Sequence, residues 1–143
     1  MAARRVFADT FHWVALANSK DPFYSDAQRL TEGCEKRGIV TTDEVLSEFL
    51  TWFGEMGSGW RRRAVEIVRD LLQDPAVEVI PQSHAGFLNA LDLYSRRLDK
   101  EYSAVDCASM CVMRTFGITD VLTHDKHFAQ EGFPLLFPDQ PTP

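Results

Sequence analysis

One stretch decides the fold of this chain: residues 102–128, with the sequence YSAVDCASMCVMRTFGITDVLTHDKHF. Ser103 is a favourable helix N-cap, and Asp106 falls in the first turn, where the positive end of the helix dipole stabilises a carboxylate. Apolar residues continue the helical pattern up to a glycine, the residue that often ends a helix in the left-handed conformation. The run Val121-Leu122-Thr123 then predicts a buried strand that ends at Asp125. We therefore predict a helix that begins with one carboxylate and a strand that ends with another.

Both carboxylates are expected at one edge of an α/β sheet, because helix starts and the carboxyl ends of strands meet there. Predicted strands cover 5–9, 39–41, 77–80, 121–123 and 132–137, and predicted helices begin near Thr10, Asp21, Thr41 or Thr42, Trp60, Ala85 and Ser103. Strands that alternate with long helices predict a mainly parallel central sheet covered on both faces, a three-layer α/β/α sandwich. We predict a single domain over 1–138, followed by a frayed tail at 139–143.

Composition and charge limit the possible functions. The 143 residues are 45% hydrophobic, which is typical of a folded globular domain, and their formal net charge is −6. This charge repels nucleic acid overall, so any contact with nucleic acid needs a local basic patch or bound metal cations. The sequence has no apolar stretch approaching the roughly 20 residues of a membrane span. Its three cysteines are too few for a disulfide framework. We expect a cytoplasmic protein.

Two further acids are predicted at the same edge of the sheet. Asp9 ends the first strand, and Glu48 lies in the first turns of the helix that follows the second strand. Glu48 borders the apolar stripe of that helix, so its carboxylate needs a partner. Glu44 has a simpler expected role, since it follows Thr41 by three residues and can complete a capping box. The acids that could converge are therefore Asp9, Glu48, Asp106 and Asp125.

Four carboxylates in one place repel each other and raise each other's pKa values, so such a cluster normally contains a cation. Oxygen ligands suit a hard divalent ion such as Mg²⁺ or Mn²⁺. One or two such ions can polarise a phosphodiester, generate hydroxide and stabilise the leaving oxygen. The four carboxylates are thus candidate metal ligands and catalytic residues for phosphodiester hydrolysis. Taken singly, Asp9, Asp106 and Asp125 could equally be helix caps or turn residues.

Four segments, in a fixed order, carry a family resemblance. They are Val6-Phe-Ala-Asp9, Thr41-Thr-Asp-Glu-Val-Leu-Ser-Glu48-Phe, Asp99-Lys-Glu-Tyr-Ser103-Ala-Val-Asp106-Cys-Ala-Ser and Gly117-Ile-Thr-Asp-Val-Leu-Thr123-His-Asp125-Lys-His-Phe128. With these segments the chain resembles PIN-domain ribonucleases, and more narrowly the toxins of VapBC-type toxin–antitoxin pairs. The ordered set spans nearly the whole chain and is more specific than any one segment.

The resemblance implies a metal-dependent endoribonuclease whose Mg²⁺ or Mn²⁺ would be held by Asp9, Glu48, Asp106 and Asp125. Thr10 would orient Asp9 or a phosphate, and the hydroxyls of Ser103 and Thr123 would position the two later aspartates. The resemblance also implies a homodimer and a protein antitoxin whose segment lies across the acidic cleft.

Neighbouring residues offer rival ligands for the same site. His124 and His127 flank Asp125 and could create a mixed nitrogen and oxygen site. Adjacent positions in a turn rarely point to one place, so we expect both histidines at the surface. Asp120 is the chief rival of Asp125, but it precedes the strand and is expected at the opposite edge, in solvent.

Contact with RNA has to be local in a chain this acidic. The candidate phosphate contacts, although such clusters are usually solvated helix faces, are Arg61, Arg62, Arg63, Arg96, Arg97 and Lys100. The main alternative function is a non-catalytic PIN-like module that binds RNA or protein and keeps the acids for folding. An acid-nucleophile phosphatase is disfavoured, because it needs a second aspartate two residues after Asp9, where this chain has Phe11.

Overall fold

A computed structural model describes residues 4–143. Within this range, four strands form one parallel sheet with the order β3-β2-β1-β4. They are β1 (Val6–Ala8), β2 (Ile39–Thr42), β3 (Val77–Ile80) and β4 (Val121–Leu122). All residues of β1, β2 and β4 are buried, which explains why these segments are continuous apolar or β-branched runs.

Helices fill the connections between the strands. They are α1 (Thr10–Ala17), α2 (Tyr24–Cys34), α3 (Asp43–Gly54), α4 (Ser58–Gln73), α5 (His84–Ser95), α6 (Ala104–Thr115) and α7 (Lys126–Gln130). Helix α3 is central, since it packs against α1, α4 and α6, while α5 and α7 pack against α6. The predicted α/β/α architecture around a parallel sheet is confirmed. None of the helices in residues 4–143 combines the length and the apolar character needed to cross a membrane.

The strand order creates a switch point beside β1. The chain runs from β1 outward to β2 and β3, and later returns to the other side of β1 as β4. The connections that leave the carboxyl ends of β1 and β4 therefore open a crevice, which is where open α/β sheets place their ligands. Asp9 directly follows β1, and Asp125 lies just beyond β4. The topology therefore places Asp9 and Asp125, two of the predicted acids, in one crevice.

Of the two threonines predicted as possible caps of α3, Thr42 is the cap and Thr41 is not. Thr42 caps α3, and its hydroxyl accepts a hydrogen bond from the backbone N–H of Val45 at 3.1 Å. Thr41 takes no part in the cap, because its hydroxyl is buried and donates to the carbonyl of Ala8 at 2.8 Å. The capping box predicted for Thr41 and Glu44 therefore does not form.

The predicted strand at 132–137 is also wrong in extent. Only a single parallel bridge forms there, between Leu135 and Val121. Pro134 and Pro138 flank the bridge, and proline has no N–H with which to extend a ladder.

The residues predicted to form a frayed tail make specific contacts with the domain. The carbonyl of Asp139 lies 2.9 Å from Nε2 of His124, and the backbone N–H of Thr142 donates to Oδ2 of Asp26 at 3.0 Å. Just before them, the buried Phe137 packs edge-on against the ring of Phe11. The C-terminal segment therefore lies along α1 and α2, next to the crevice.

Candidate metal centre

The structure brings the four predicted carboxylates together in one cleft of about 540 Å³, here called the acidic cleft. Each acid comes from a different element: Asp9 from the end of β1, Glu48 from α3, Asp106 from the first turn of α6 and Asp125 from the N-cap of α7. Two acids that were not predicted as site residues also line the cleft, namely Asp21 and Glu101. Their only signal in the sequence was their position just before a predicted helix.

Asp9 is the most buried of the four acids, with 6% of its surface exposed. The hydroxyl of Thr123, itself completely buried, donates to Oδ2 of Asp9 at 3.0 Å. Burial, reinforced by the nearby charges of Asp106 and Glu48, raises the pKa of Asp9 to about 7. The chain alone therefore stabilises the charged form of Asp9 poorly.

Glu48 faces the same space from α3. The hydroxyl of Thr10 donates to its Oε1 at 2.6 Å, which fixes the direction of the carboxylate. Burial, together with the charges of Asp106 and Asp125, raises the pKa of Glu48 above its usual value. Thr10 was expected to orient Asp9 or a phosphate, but in the structure its hydroxyl orients Glu48.

Asp106 combines a capping role with a place in the cleft. Its backbone N–H donates to Oγ of Ser103 at 2.9 Å, and its Oδ2 accepts from the backbone N–H of Ser103 at 3.0 Å. These reciprocal bonds form a capping box, so Asp106 does cap the start of α6. The same oxygen also faces His127, so the carboxylate is fixed at the cleft by the start of α6.

Asp125 is linked to Asp9 through a single hydroxyl. Oγ1 of Thr123 accepts the backbone N–H of Asp125 at 3.1 Å while it donates to Asp9. The Asp125 side chain also caps α7 by accepting the backbone N–H of His127 at 2.9 Å. Thr123 therefore holds the end of β1 and the turn after β4 in a fixed relation.

His127 does not lie at the open surface, so the expectation for this residue is wrong. Its Nδ1 is 3.0 Å from Oδ2 of Asp106 and 3.4 Å from Oδ1 of Asp125. Burial alone lowers the pKa of the imidazole, but the hydrogen bond to Asp106 and the surrounding negative charges outweigh burial and raise it. His124 also lines the cleft, where its ring stacks on Phe11.

The rival acid Asp120 lies at the predicted edge of the sheet, but its side chain is only 28% exposed and is paired instead of solvated. It precedes β4 at the opposite edge of the sheet, and its carboxylate accepts from Arg37 at 2.8 Å. Its charge is therefore balanced within the chain, and it takes no part in the acidic cleft.

The six basic candidates lie outside the lining of the cleft, on α4 and around the end of α5. Most of them have local partners. Arg97 forms a two-point ion pair with Glu131, with both nitrogen to oxygen distances at 2.8 Å. The other contacts are Arg61 with the carbonyl of Gly54, Arg63 with Glu66, Arg96 with Asp92 and Lys100 with Asp99.

The acidic cleft fits a divalent cation. Its lining residues all belong to the described part of the chain, and they include six carboxylates but neither lysine nor arginine; the six are Asp9, Asp21, Glu48, Glu101, Asp106 and Asp125. Ligand atoms of Asp106, Asp125 and His127 lie within 4.8 Å of one another. Oxygen-rich sites of this kind suit Mg²⁺ or Mn²⁺, and a bound ion would lower the raised pKa values of Asp9 and Glu48.

Comparison with known proteins identifies the family of this chain. Residues 6–133 match the family model of the PIN domain. The chain is 28% identical over 134 residues to the 23S rRNA-specific endonuclease VapC20 of Mycobacterium tuberculosis strains CDC 1551 / Oshkosh and ATCC 25618 / H37Rv, and the alignment covers 94% of this chain and 99% of the relative.

A solved structure is similar over the same region. The crystal structure of Mycobacterium tuberculosis VapC20, described as a Sarcin-Ricin loop cleaving toxin, aligns with a TM-score of 0.80 and 29% sequence identity. The alignment covers 90% of this chain and 96% of that one. The resemblance carried by the four ordered segments is thereby confirmed. This chain belongs to the PIN-domain family.

Proposed function

We propose that this protein is a metal-dependent endoribonuclease that hydrolyses RNA phosphodiester bonds, and that it acts as the toxin of a type II toxin–antitoxin pair. The observation that carries the proposal is the acidic cleft, where carboxylates from four separate elements converge without a lysine or arginine among the lining residues, all of which lie in the described part of the chain. The similarity to VapC20, which is named as a 23S rRNA-specific endonuclease, supports RNA as the substrate class.

In this proposal Asp9, Glu48, Asp106 and Asp125 hold Mg²⁺ or Mn²⁺. The ion would supply charge stabilisation to the phosphodiester and to the leaving oxygen. The residues of the chain supply orientation. Ser103 holds Asp106, and Thr123 ties Asp9 to the turn that carries Asp125. Glu48 is aimed into the cleft by the hydroxyl of Thr10.

The first test is cleavage of purified ribosomal RNA by the purified protein. We expect cleavage in Mg²⁺ or Mn²⁺, and loss of cleavage in EDTA and in Asp106→Asn. Asp120→Asn is the matched control, because this acid lies at the opposite sheet edge and pairs with Arg37. A well-folded wild-type protein that binds metal but cleaves none of the RNAs tested would favour the non-catalytic binding module instead.

We further propose that an antitoxin segment lies in the groove that extends from the acidic cleft between α1 and α3. This groove of about 960 Å³ is lined by apolar Val14, Trp52 and Met56 next to Glu48 and Glu55. Trp52 and Met56 are 59% and 45% exposed, which is high for large apolar side chains. A segment with apolar side chains and a basic residue would complement this groove.

The candidate antitoxin is the product of a small open reading frame next to the gene for this protein. We expect it to co-purify with the wild-type chain and to inhibit RNA cleavage. Met56→Ala should weaken the complex while leaving cleavage by the free protein intact, because Met56 lines the groove but not the acidic cleft. Equal co-purification with the variant would exclude this groove as the binding surface.

We also propose a homodimer in the reducing cytoplasm. Helix α5 exposes a row of apolar side chains, Phe87, Leu88, Leu91 and Tyr94, each about half exposed. A second copy is the occupant that the family resemblance implies, and the three free cysteines suit a reducing compartment. Light scattering should give a dimer for the wild type and a monomer for Leu91→Glu; a monomeric wild type would contradict the proposal.

A further inference from the structure

We propose that His127 is a ligand of the metal ion in the acidic cleft, together with Asp106 and Asp125, and that the centre consequently prefers Mn²⁺ to Mg²⁺. This inference rests on the metal dependence proposed above. The sequence predicted only oxygen ligands for this site, and His127 adds a nitrogen ligand to them.

The distances between side-chain atoms suit shared coordination. Nδ1 of His127 lies 3.0 Å from Oδ2 of Asp106 and 3.4 Å from Oδ1 of Asp125. Adjacent ligands of an octahedral ion, each at roughly 2.1 Å from the metal, are themselves about 3 Å apart. Nδ1 of His127 therefore lies near the spacing of a neighbouring ligand from one oxygen of each aspartate, and the three residues each offer a ligand atom within 4.8 Å of the other two.

The start of α7 fixes this arrangement. Asp125 is the N-cap, and its side chain accepts the backbone N–H of His127, so both side chains leave the first turn on the same side. The ring of Tyr102 packs beside the imidazole at a centroid distance of 5.5 Å, and its hydroxyl is held by Glu131. The imidazole is thus positioned by two independent elements, while 28% of the side chain stays exposed to the cleft.

His124 is a natural control, because it lines the same cleft but is otherwise engaged. Its Nε2 lies 2.9 Å from the carbonyl of Asp139, and its ring stacks on Phe11. The ring of His124 is therefore already engaged by the C-terminal segment and by α1.

A mixed ligand set changes the preference for metal. Mg²⁺ strongly prefers oxygen ligands and holds its waters tightly, whereas imidazole is a common ligand of transition metals. Mn²⁺ accepts both nitrogen and oxygen donors, so replacing one oxygen by the His127 nitrogen weakens Mg²⁺ binding relative to Mn²⁺ binding.

The test is pulsed electron paramagnetic resonance of Mn²⁺ bound to the full-length protein. The wild type and His124→Gln should show a nitrogen coordinated to Mn²⁺, and His127→Gln should lose this coupling. Calorimetric titration should show Mn²⁺ affinity falling about tenfold in His127→Gln. Mg²⁺ affinity should change less than about threefold.

A wild-type Mn²⁺ complex without coordinated nitrogen would overturn the inference, even if His127→Gln proved too unstable to study. Unchanged or tighter Mn²⁺ binding by a folded His127→Gln would do the same, since it would show that the imidazole only occupies the cleft. In either case RNA cleavage that is lost in EDTA and in Asp106→Asn would leave the proposed function standing. Failure of the wild type to bind Mn²⁺ at all would contradict both.

Discussion

The acidic cleft and a neighbouring cluster arrange their charges in opposite ways. The cluster, here called the Glu131 cluster, consists of Glu131, Arg97, Arg114 and Tyr102. Its Tyr102 ring packs against His127 of the cleft. In the Glu131 cluster one carboxylate, with a side chain only 4% exposed, accepts from Arg97, Arg114 and Tyr102. The hydrogen bonds, led by that from Arg97, lower the pKa of Glu131 to about 2. In the acidic cleft, by contrast, burial raises the pKa of Asp9 to about 7.

The difference separates two uses of a buried carboxylate. Glu131 is balanced by cations within the chain, so it stabilises the folded state at neutral pH. Asp9 and Glu48 have no arginine or lysine partner among the residues that line the cleft, and they are held in place by the hydroxyls of Thr123 and Thr10. A group of fixed carboxylates whose negative charge exceeds the positive charge around it is suited to bind a cation from solution.

The largest expected effect is on catalysis. Asp9→Asn should lower the rate of RNA cleavage by about 10³-fold, since the loss of a charged metal ligand removes several kcal/mol of transition-state stabilisation. Cleavage rates with saturating RNA and metal measure this effect. Glu131→Gln is the comparison variant, and its cleavage rate below its own melting temperature should stay within about threefold of wild type.

A second prediction concerns stability and pH in the absence of metal. The pKa of Asp9 rises from 3.8 to about 7 on folding, so between these values the folded state binds more protons than the unfolded state. The contribution of Asp9 to the free energy of unfolding should therefore fall as the pH rises from about 4 to 7, and Asp9→Asn should avoid this loss. At pH 8 the variant should be more stable than wild type by roughly 2–4 kcal/mol.

Urea unfolding in EDTA at pH 5 and pH 8 checks this prediction. The stability difference between Asp9→Asn and wild type should grow with pH. A difference of the same size at both pH values would show that Asp9 is already charged and balanced at pH 5, which would remove the contrast with Glu131.

The Glu131 cluster should respond in the opposite sense. Glu131→Gln should lower the free energy of unfolding by about 2 kcal/mol at neutral pH, less than for a fully buried network because Arg97 and Arg114 are partly exposed. Glu78→Gln, which breaks an exposed pair with Arg5, is the matched control and should change stability by less than about 0.5 kcal/mol.

The smallest effect is expected among the basic residues. Arg62 is exposed on α4, whereas Arg97 is tied to Glu131. If Arg62 contacts a phosphate, Arg62→Gln should weaken RNA binding severalfold and reduce the slope of log affinity against log salt by about one. Arg97→Gln should leave this slope unchanged and lower the melting temperature instead. The reverse pattern would mean that the Glu131 ion pair opens to bind RNA.

The sequence was sufficient for the parts of the site that depend on local patterns. Asp9, Asp106 and Asp125 each follow from a strand end or a helix start, and the parallel order of the strands brings them together. Glu48 was recognised because a carboxylate at the border of an apolar helical stripe needs a partner, and the partner observed is Thr10.

The parts that the sequence did not predict depend on distant contacts. His127 was assigned to the surface because neighbouring turn residues rarely converge, but its Nδ1 lies in the cleft, 3.0 Å from Oδ2 of the distant Asp106. Arg97 was a candidate for RNA contact because no local pattern indicates that Glu131, far along the chain, lies within 2.8 Å of it. The capping box of Thr41 failed for the same reason, since its hydroxyl bonds to a neighbouring strand.

The most direct test of the central claim is a divalent metal titration followed by two measurements on the same samples. The initial rate of RNA cleavage should reach half of its maximum at the metal dissociation constant, and the melting temperature should rise with metal concentration above that same value. Stabilisation of about 2.7 kcal/mol is expected at one hundred times the dissociation constant. Both responses should be absent in Asp106→Asn. Cleavage that persists without metal, or metal stabilisation that survives in Asp106→Asn, would contradict the account.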